Sequence, residues 1–222
     1  MHRLRHRTAA AAILSLALVC AGCNVLGVLA QPLGEPTEPA AYKGLAGQSC
    51  AVYVWVDRGV LIDWPDIRLN ICSGVQNKLL EAQKADNKLE DLKGTTFPLT
   101  AAAIERFAES HPELEAEPIA DIAPLLHVQR VIYVEVQSFQ TRSPESIDLF
   151  RGSINALVKV LEVKDGKATT VFEDRNVTAI FPPKSTEEGA PDLGDEAVYD
   201  GTLKELTTDI SVKFFAHPAE DE

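Results

Sequence analysis

Four cysteines and five histidines are the residues of this 222-residue chain best suited to metal or redox chemistry. Cys20 and Cys23 stand three positions apart, the spacing of a thiol redox pair or half a zinc site. That reading requires the apolar stretch around them to remain part of the working protein. Past residue 23 the histidines are His111, His127 and His217. None lies at ligand spacing from another, and no further Cys-x-x-Cys or His-x-x-His pair follows. No G-x-S-x-G stretch marks a nucleophile elbow, and no glycine-rich loop is present to cradle phosphate. "DGKATT" (165–170) lacks the ligand register of a calcium loop. Cys72 falls inside an amphipathic helical pattern, where a small apolar core residue is expected. The expectation is therefore no catalytic constellation, no metal and no cofactor. An enzyme with a site assembled from dispersed residues stays open as an alternative.

The segment before Cys23 explains the first two cysteines differently. "MHRLRHR" carries Arg3, Arg5 and Arg7 without an acid, and Thr8 to Val19 carry no charge. A basic start followed by an apolar run of about 7–15 residues is the pattern of a secretory leader. The run is short for a membrane span, which needs about 20 residues. Ala21-Gly22-Cys23 resembles the end of a bacterial lipobox. That likeness implies a leader over 1–22, lipidation of Cys23, and a membrane contact made through acyl chains. Plain secretion and an uncleaved anchor are the alternatives.

Charge bounds the partners. The net charge of −12 becomes −15 once the leader's three arginines are gone. Such a chain repels nucleic acid, so no nucleic-acid partner is expected. Solubility alone accounts for the acidity, and attraction of a basic partner is the sharper reading. Export permits a disulfide between Cys50 and Cys72. Two separate buried thiols are the other possibility.

Residues 24–48 hold Pro32, Pro36 and Pro39 among scattered glycines, so 23–48 reads as a lipidated N-terminus and tether. "AVYVWVD" (51–57) is a strand buried on both faces. "RGVLI" reads as a loop, and Asp63-Trp64-Pro65-Asp66 as a helix start. Ile67, Ile71, Val75 and Leu79 then repeat at helical spacing, and Gly74 among them permits close approach by a neighbour. "TTFPL" (95–99) is a short strand and Thr100 caps a short helix. "PIADIAPLLH" (118–127) is a helix broken by Pro124. Strands follow at 130–140, 150–163 and 168–180, the last two joined by Asp165-Gly166, a strong hairpin signal. Val198, Leu203, Leu206, Ile210 and Phe214 line a final helix. The expected fold is α+β: a single mixed sheet of about five strands with helices packed on one face, spanning 49–217, with an acidic tail at 218–222. Trp55 and Trp64 bracket the first strand–helix turn, either as core rings or as part of a partner-binding turn.

"PIADIAPLLHVQRVIYVEVQSF" and "SINALVKVLEVKDGKATTVFED" resemble the helix-to-strand segment and following hairpin of TolB-N-terminal-like and CsgG-like periplasmic domains. The layout is similar to that of the envelope lipoproteins LptE and LpoB. The resemblance implies a non-enzymatic, protein-binding accessory of cell-envelope assembly or transport, anchored on the periplasmic side of the outer membrane. A small-ligand-binding lipoprotein is the alternative. If Ile154, Ala156, Val158 and Val160 point into the core, then Ser153, Asn155, Leu157 and Lys159 share the opposite face. That polar set with an apolar centre is the expected docking surface. Cys23→Ala is expected to leave an unprocessed precursor or a released soluble protein without incorporated labelled fatty acid. Equal label in the variant and the parent would overturn the lipid anchor.

Overall fold

A computed structural model describes residues 37–85, 89–143, 146–183 and 193–219. Cys23, the leader, most of the tether, residues 184–192 and residues 220–222 lie outside the described residues. Residues 39–217 form one compact unit. Its centre is a four-stranded mixed sheet in the order β1-β2-β3-β4, made of β1 (Cys50–Val56), β2 (Arg130–Ser143), β3 (Ser146–Lys164) and β4 (Lys167–Phe181). β1 pairs parallel to β2, and the other two pairings are antiparallel. The expected α+β class with a mixed sheet is what the chain adopts. The sheet has four strands because "TTFPL" contributes a single parallel bridge, Ser49 to Thr96, before Pro98 removes the next donor.

The strands form where the side-chain pattern requires. β1 is β-branched and aromatic, and all but Trp55 of its residues are buried. The β3–β4 hairpin closes on Asp165 (φ 52°) and Gly166 (φ 72°), the two left-handed residues of a type I′ turn. α1 (Arg58–Asp63) occupies the stretch expected as a loop, with Asp57 accepting from Gly59 N–H at 2.8 Å. No residue of α1 is buried, so no apolar period announces it. α2 (Ile67–Ala85) buries Ile67, Ile71, Val75 and Leu79 as its spacing requires. α3 (Ala101–Ser110) is capped by Thr100, whose hydroxyl accepts from Ala103 N–H at 3.3 Å. Residues 112–126 form a run of short turns, Pro112–Ala116, α4 (Ile119–Ile122) and Ala123–Leu126, interrupted by Pro124. α5 (Asp195–Ser211) buries Val198, Leu203, Leu206 and Ile210.

The long helices α2 and α5 share one sheet face. The rows Val52–Ile132–Val160–Phe172 and Val54–Val134–Val158 belong to that face. Trp64 joins it, stacked on Tyr199 at 4.5 Å and edge-on to Phe139 at 5.8 Å, so this tryptophan is a core ring. The other face carries the rows Ala51–Val131–Leu161 and Tyr53–Tyr133–Lys159. The 112–126 segment lies over part of this second face, where Ile122, Ala123 and Leu126 enter the same buried cluster as Leu161.

The tether reading extends too far. Leu45 is fully buried, and Tyr42 packs on Phe172 and Phe214 at 5.7 and 6.4 Å. Long-range hydrogen bonds hold this irregular stretch: Tyr42 N–H to Lys213 O at 2.9 Å, and Thr95 Oγ1 to Leu45 O at 2.8 Å. Proline and glycine hide its role, because backbone satisfied by distant partners needs no local period.

α5 sits close on the sheet because glycines leave it room. A Cβ on Gly152 of β3 would overlap Thr202 Oγ1 and come within 2.9 Å of Val198 Cγ1. Gly152→Ala is expected to destabilise the fold by about 1–3 kcal/mol. Urea unfolding would measure the loss, and adding Thr202→Ala should recover part of it. An unchanged midpoint for Gly152→Ala would show that α5 is not seated this closely.

Candidate functional site

The second sheet face divides in two. Ser153, Asn155, Leu157 and Lys159 do alternate with the fully buried Ile154, Ala156, Val158 and Val160, so the strand register is as expected. Their surroundings differ along the strand. Leu157 is only 8% exposed and belongs to the core cluster, so it is not the exposed apolar centre of a docking patch. Strand period puts Leu157 on the outer face, and its burial in the core cluster is a matter of tertiary packing. A charge at Leu157 would therefore be a folding lesion rather than a binding lesion.

Beyond Leu157 the face is polar and open. Asn155 is exposed and held on both sides, its Nδ2 donating to Ser138 Oγ at 3.0 Å and its Oδ1 accepting from Thr178 Oγ1 at 2.7 Å. These three residues form one row across β2, β3 and β4. Ser153 follows, partly buried and paired with Gln140 and Ile180. The row is prearranged, so a partner meeting it loses little side-chain freedom. The neighbouring edge is less suited to pairing. β4 deviates from regular register opposite Ala156–Val158 and again opposite Val160–Leu161, and such bulges disrupt the ladder that an added strand needs.

Lys159 lies at the other end, in a cleft of about 310 Å³ lined by Trp55, Glu115, Glu117, Pro118, Ile119, Tyr133, Glu135 and Lys159. Trp55 donates its indole N–H to Glu115 O at 3.2 Å, which fastens the 112–126 segment to the sheet. Arg68 binds Glu105 at 2.8 Å and lies 3.7 Å from Glu115. Tyr133 donates to Glu135 Oε2 at 3.2 Å, and burial first, then the Glu135 charge, push its phenol above the ordinary range. Sequence reasoning placed Trp55 at a turn but missed Glu135 and Tyr133. Their strand reads as apolar core, and only a segment crossing that face makes a cleft there. A separate apolar cleft of about 440 Å³ is lined by Pro98, Leu99, Ala103, Phe107, Leu125, Leu126 and His127.

Among the described residues, no group of three His, Cys, Asp or Glu side chains could hold a metal ion. His111 Nδ1 lies 2.9 Å from Phe107 O, and His217 Nδ1 lies 3.2 Å from Phe215 O. Among the described residues no helix is long and apolar enough to cross a membrane.

Cys50 and Cys72 are both buried free thiols, the second of the two arrangements the sequence allows, and they do not form the possible disulfide. Each sulfur is directed to a different carbonyl: Cys72 Sγ to Val52 O at 3.1 Å, and Cys50 Sγ to Gln48 O at 3.8 Å.

No protein-family model matches this chain, and no curated protein matches it. Among solved structures it is similar to PelC from Paraburkholderia phytofirmans, solved as a dodecamer: 12% identity, 82% of this chain and 98% of that one, TM-score 0.42. It is also similar to the lipoprotein GNA1162 from Neisseria meningitidis, at 12% identity over 68% of this chain and 89% of that one, TM-score 0.41. The hypothetical protein CT253 from Chlamydia trachomatis gives 15% identity over 76% and 92%, TM-score 0.40.

Burial raises both thiols from 9.0 to about 12. A raised acid pKa means the folded state keeps its proton when the unfolded chain has lost it. The thiols' contribution to stability is thus complete below pH 9 and falls as pH rises from about 9 toward 12. Neither Cys50 nor Cys72 should react with a maleimide in the native protein at pH 8, and both should react in denaturant, as read by peptide mass mapping. Rapid native labelling of either would overturn their placement.

Proposed function

We propose that the chain is a lipid-anchored protein of the bacterial cell envelope that works without catalysis, by docking a protein partner on the open half of its sheet. The observation that carries the reading is the exposed row Ser138–Asn155–Thr178, hydrogen-bonded across three strands on a face that the 112–126 segment covers only in part. A prearranged polar row bordered by half-buried apolar groups fits a reversible protein contact. The basic leader, the apolar run and Cys23 support the anchor, and the likeness to TolB-N-terminal-like and CsgG-like domains supports an accessory role in envelope assembly or transport. The periplasmic side of the outer membrane is the proposed location. With Leu157 buried, Ser153 and Asn155 form the centre of the docking surface, and Lys159 lies in the adjoining cleft.

The apolar cleft beside α3 favours a second reading, a small-ligand-binding lipoprotein. Its volume of about 440 Å³ and its apolar lining suit a small hydrophobic molecule.

A photo-crosslinking residue at Asn155, introduced in living cells, is expected to capture one defined envelope protein. The same residue at Glu81, exposed on α2, should not. Asn155→Arg should abolish the partner's co-purification while the melting temperature changes by no more than about 4 °C, in keeping with an exposed position. Identical adducts from both positions, or full partner recovery with Asn155→Arg, would remove this face from the function.

A further inference from the structure

We infer that the cleft beside the docking row seats an arginine side chain of a basic protein partner. The inference rests on the docking reading, and it adds which chemistry the partner must present. The cleft adjoins that row: Asn155, Leu157 and Lys159 succeed one another along the same face of β3, and Glu135 pairs directly with Leu157.

Its walls suit a guest with an apolar stem and a planar cationic head. Trp55, Pro118, Ile119 and Tyr133 supply apolar and aromatic surface, and Glu115, Glu117 and Glu135 supply carboxylates. One cation, Lys159, lines the cleft, Arg68 lies beside it, and both are partly engaged. Arg68 holds Glu105 and approaches Glu115, while Lys159 lies 4.0 Å from Glu173 on β4. Among the described residues no cation pairs with Glu117 or Glu135. The cleft therefore retains uncompensated negative charge against a tryptophan wall.

Arginine fits this combination better than lysine does. Its guanidinium stacks flat on an indole and offers a fork of N–H donors to carboxylates. Its methylenes cover Pro118 and Ile119 as the head reaches the acids. The chain's net charge of −12 draws a basic partner from a distance, and the cleft gives that attraction a defined end point. At about 310 Å³ the cleft is at the small end for ligand sites, a size for one side chain rather than a folded segment.

The chain has two tryptophans, and only Trp55 lines the cleft, so indole N–H resonances give a reporter and an internal control. A capped Gly-Arg-Gly peptide titrated into the purified protein is expected to move the Trp55 signal saturably and leave Trp64 in place. The same peptide with citrulline for arginine should move neither. Glu117→Gln combined with Glu135→Gln should weaken the arginine peptide about tenfold with signal dispersion unchanged. Glu117→Gln alone changes an exposed position and should give a smaller loss, and Glu81→Gln should give none. Equal response to citrulline, equal movement of Trp64, or undiminished binding in the double variant would each overturn the inference. If crosslinking at Asn155 captures a partner but the cleft ignores arginine, the cleft assignment alone falls. If the cleft binds arginine but Asn155 captures nothing, the docking face falls.

Discussion

The unit depends on how closely α5 lies against the sheet and against α2. Three glycines mark the contacts. Gly152 meets Thr202, Gly201 meets the Phe181 ring, and Gly74 of α2 meets Thr207, where an added Cβ would come within 2.7 Å of Cγ2. Each contact replaces a side chain with backbone, so the helices approach until Val198, Leu206 and Ile210 are fully buried. The approach also places Tyr199 on Trp64 and Phe139, and Asn70 donates to Tyr199 Oη at 2.9 Å. At the start of α5, Asp195 accepts from Thr141 Oγ1 at 2.7 Å and Arg142 Nε at 2.9 Å. These bonds, that from Arg142 foremost, hold the Asp195 carboxyl below the ordinary range. The helix is thereby fixed to β2 at the end where its dipole favours a carboxylate.

With both long helices committed to one face, the other face must be covered by less regular chain. The 112–126 segment is short, turn-rich and broken by Pro124, so it covers only part of the sheet. Trp55 and the Tyr53–Tyr133 pair, with ring centroids 6.5 Å apart, sit along the cover and its margin. Past the margin the strand positions turn polar, and Ser138, Asn155 and Thr178 satisfy one another. A partly covered face thus yields two adjoining surfaces, an acidic aromatic cleft and a prearranged polar row. The β4 edge is bulged, which makes it a poor template for an added strand.

Two ion pairs fasten the margins of the unit. Lys213 binds Asp174 at 2.7 Å, and that hydrogen bond holds the Asp174 carboxyl below its ordinary range. Arg130, next to Tyr42, binds Glu162 at 3.1 Å. These pairs tie the 39–48 stretch and the end of α5 to the strands, so the start of the folded unit depends on long-range contacts.

The sequence by itself determined the features that depend on neighbours a few residues away. The 3.6-residue stripes of α2 and α5, the Thr100 cap, the Asp165–Gly166 turn and the inward set Ile154, Ala156, Val158 and Val160 follow from periodicity and turn chemistry. The expected close approach at Gly74 has its cause in Thr207. Tertiary structure decided the rest. Leu157 and Asn155 are equivalent in strand period, yet one is buried in the core cluster and the other exposed. Leu45 looks like tether until Thr95 and Lys93 bond its stretch. Cys50 and Cys72 remain separate because strand and helix aim their sulfurs at different carbonyls. Local pattern specifies which way a side chain points, and only the packing of distant segments specifies what it meets there.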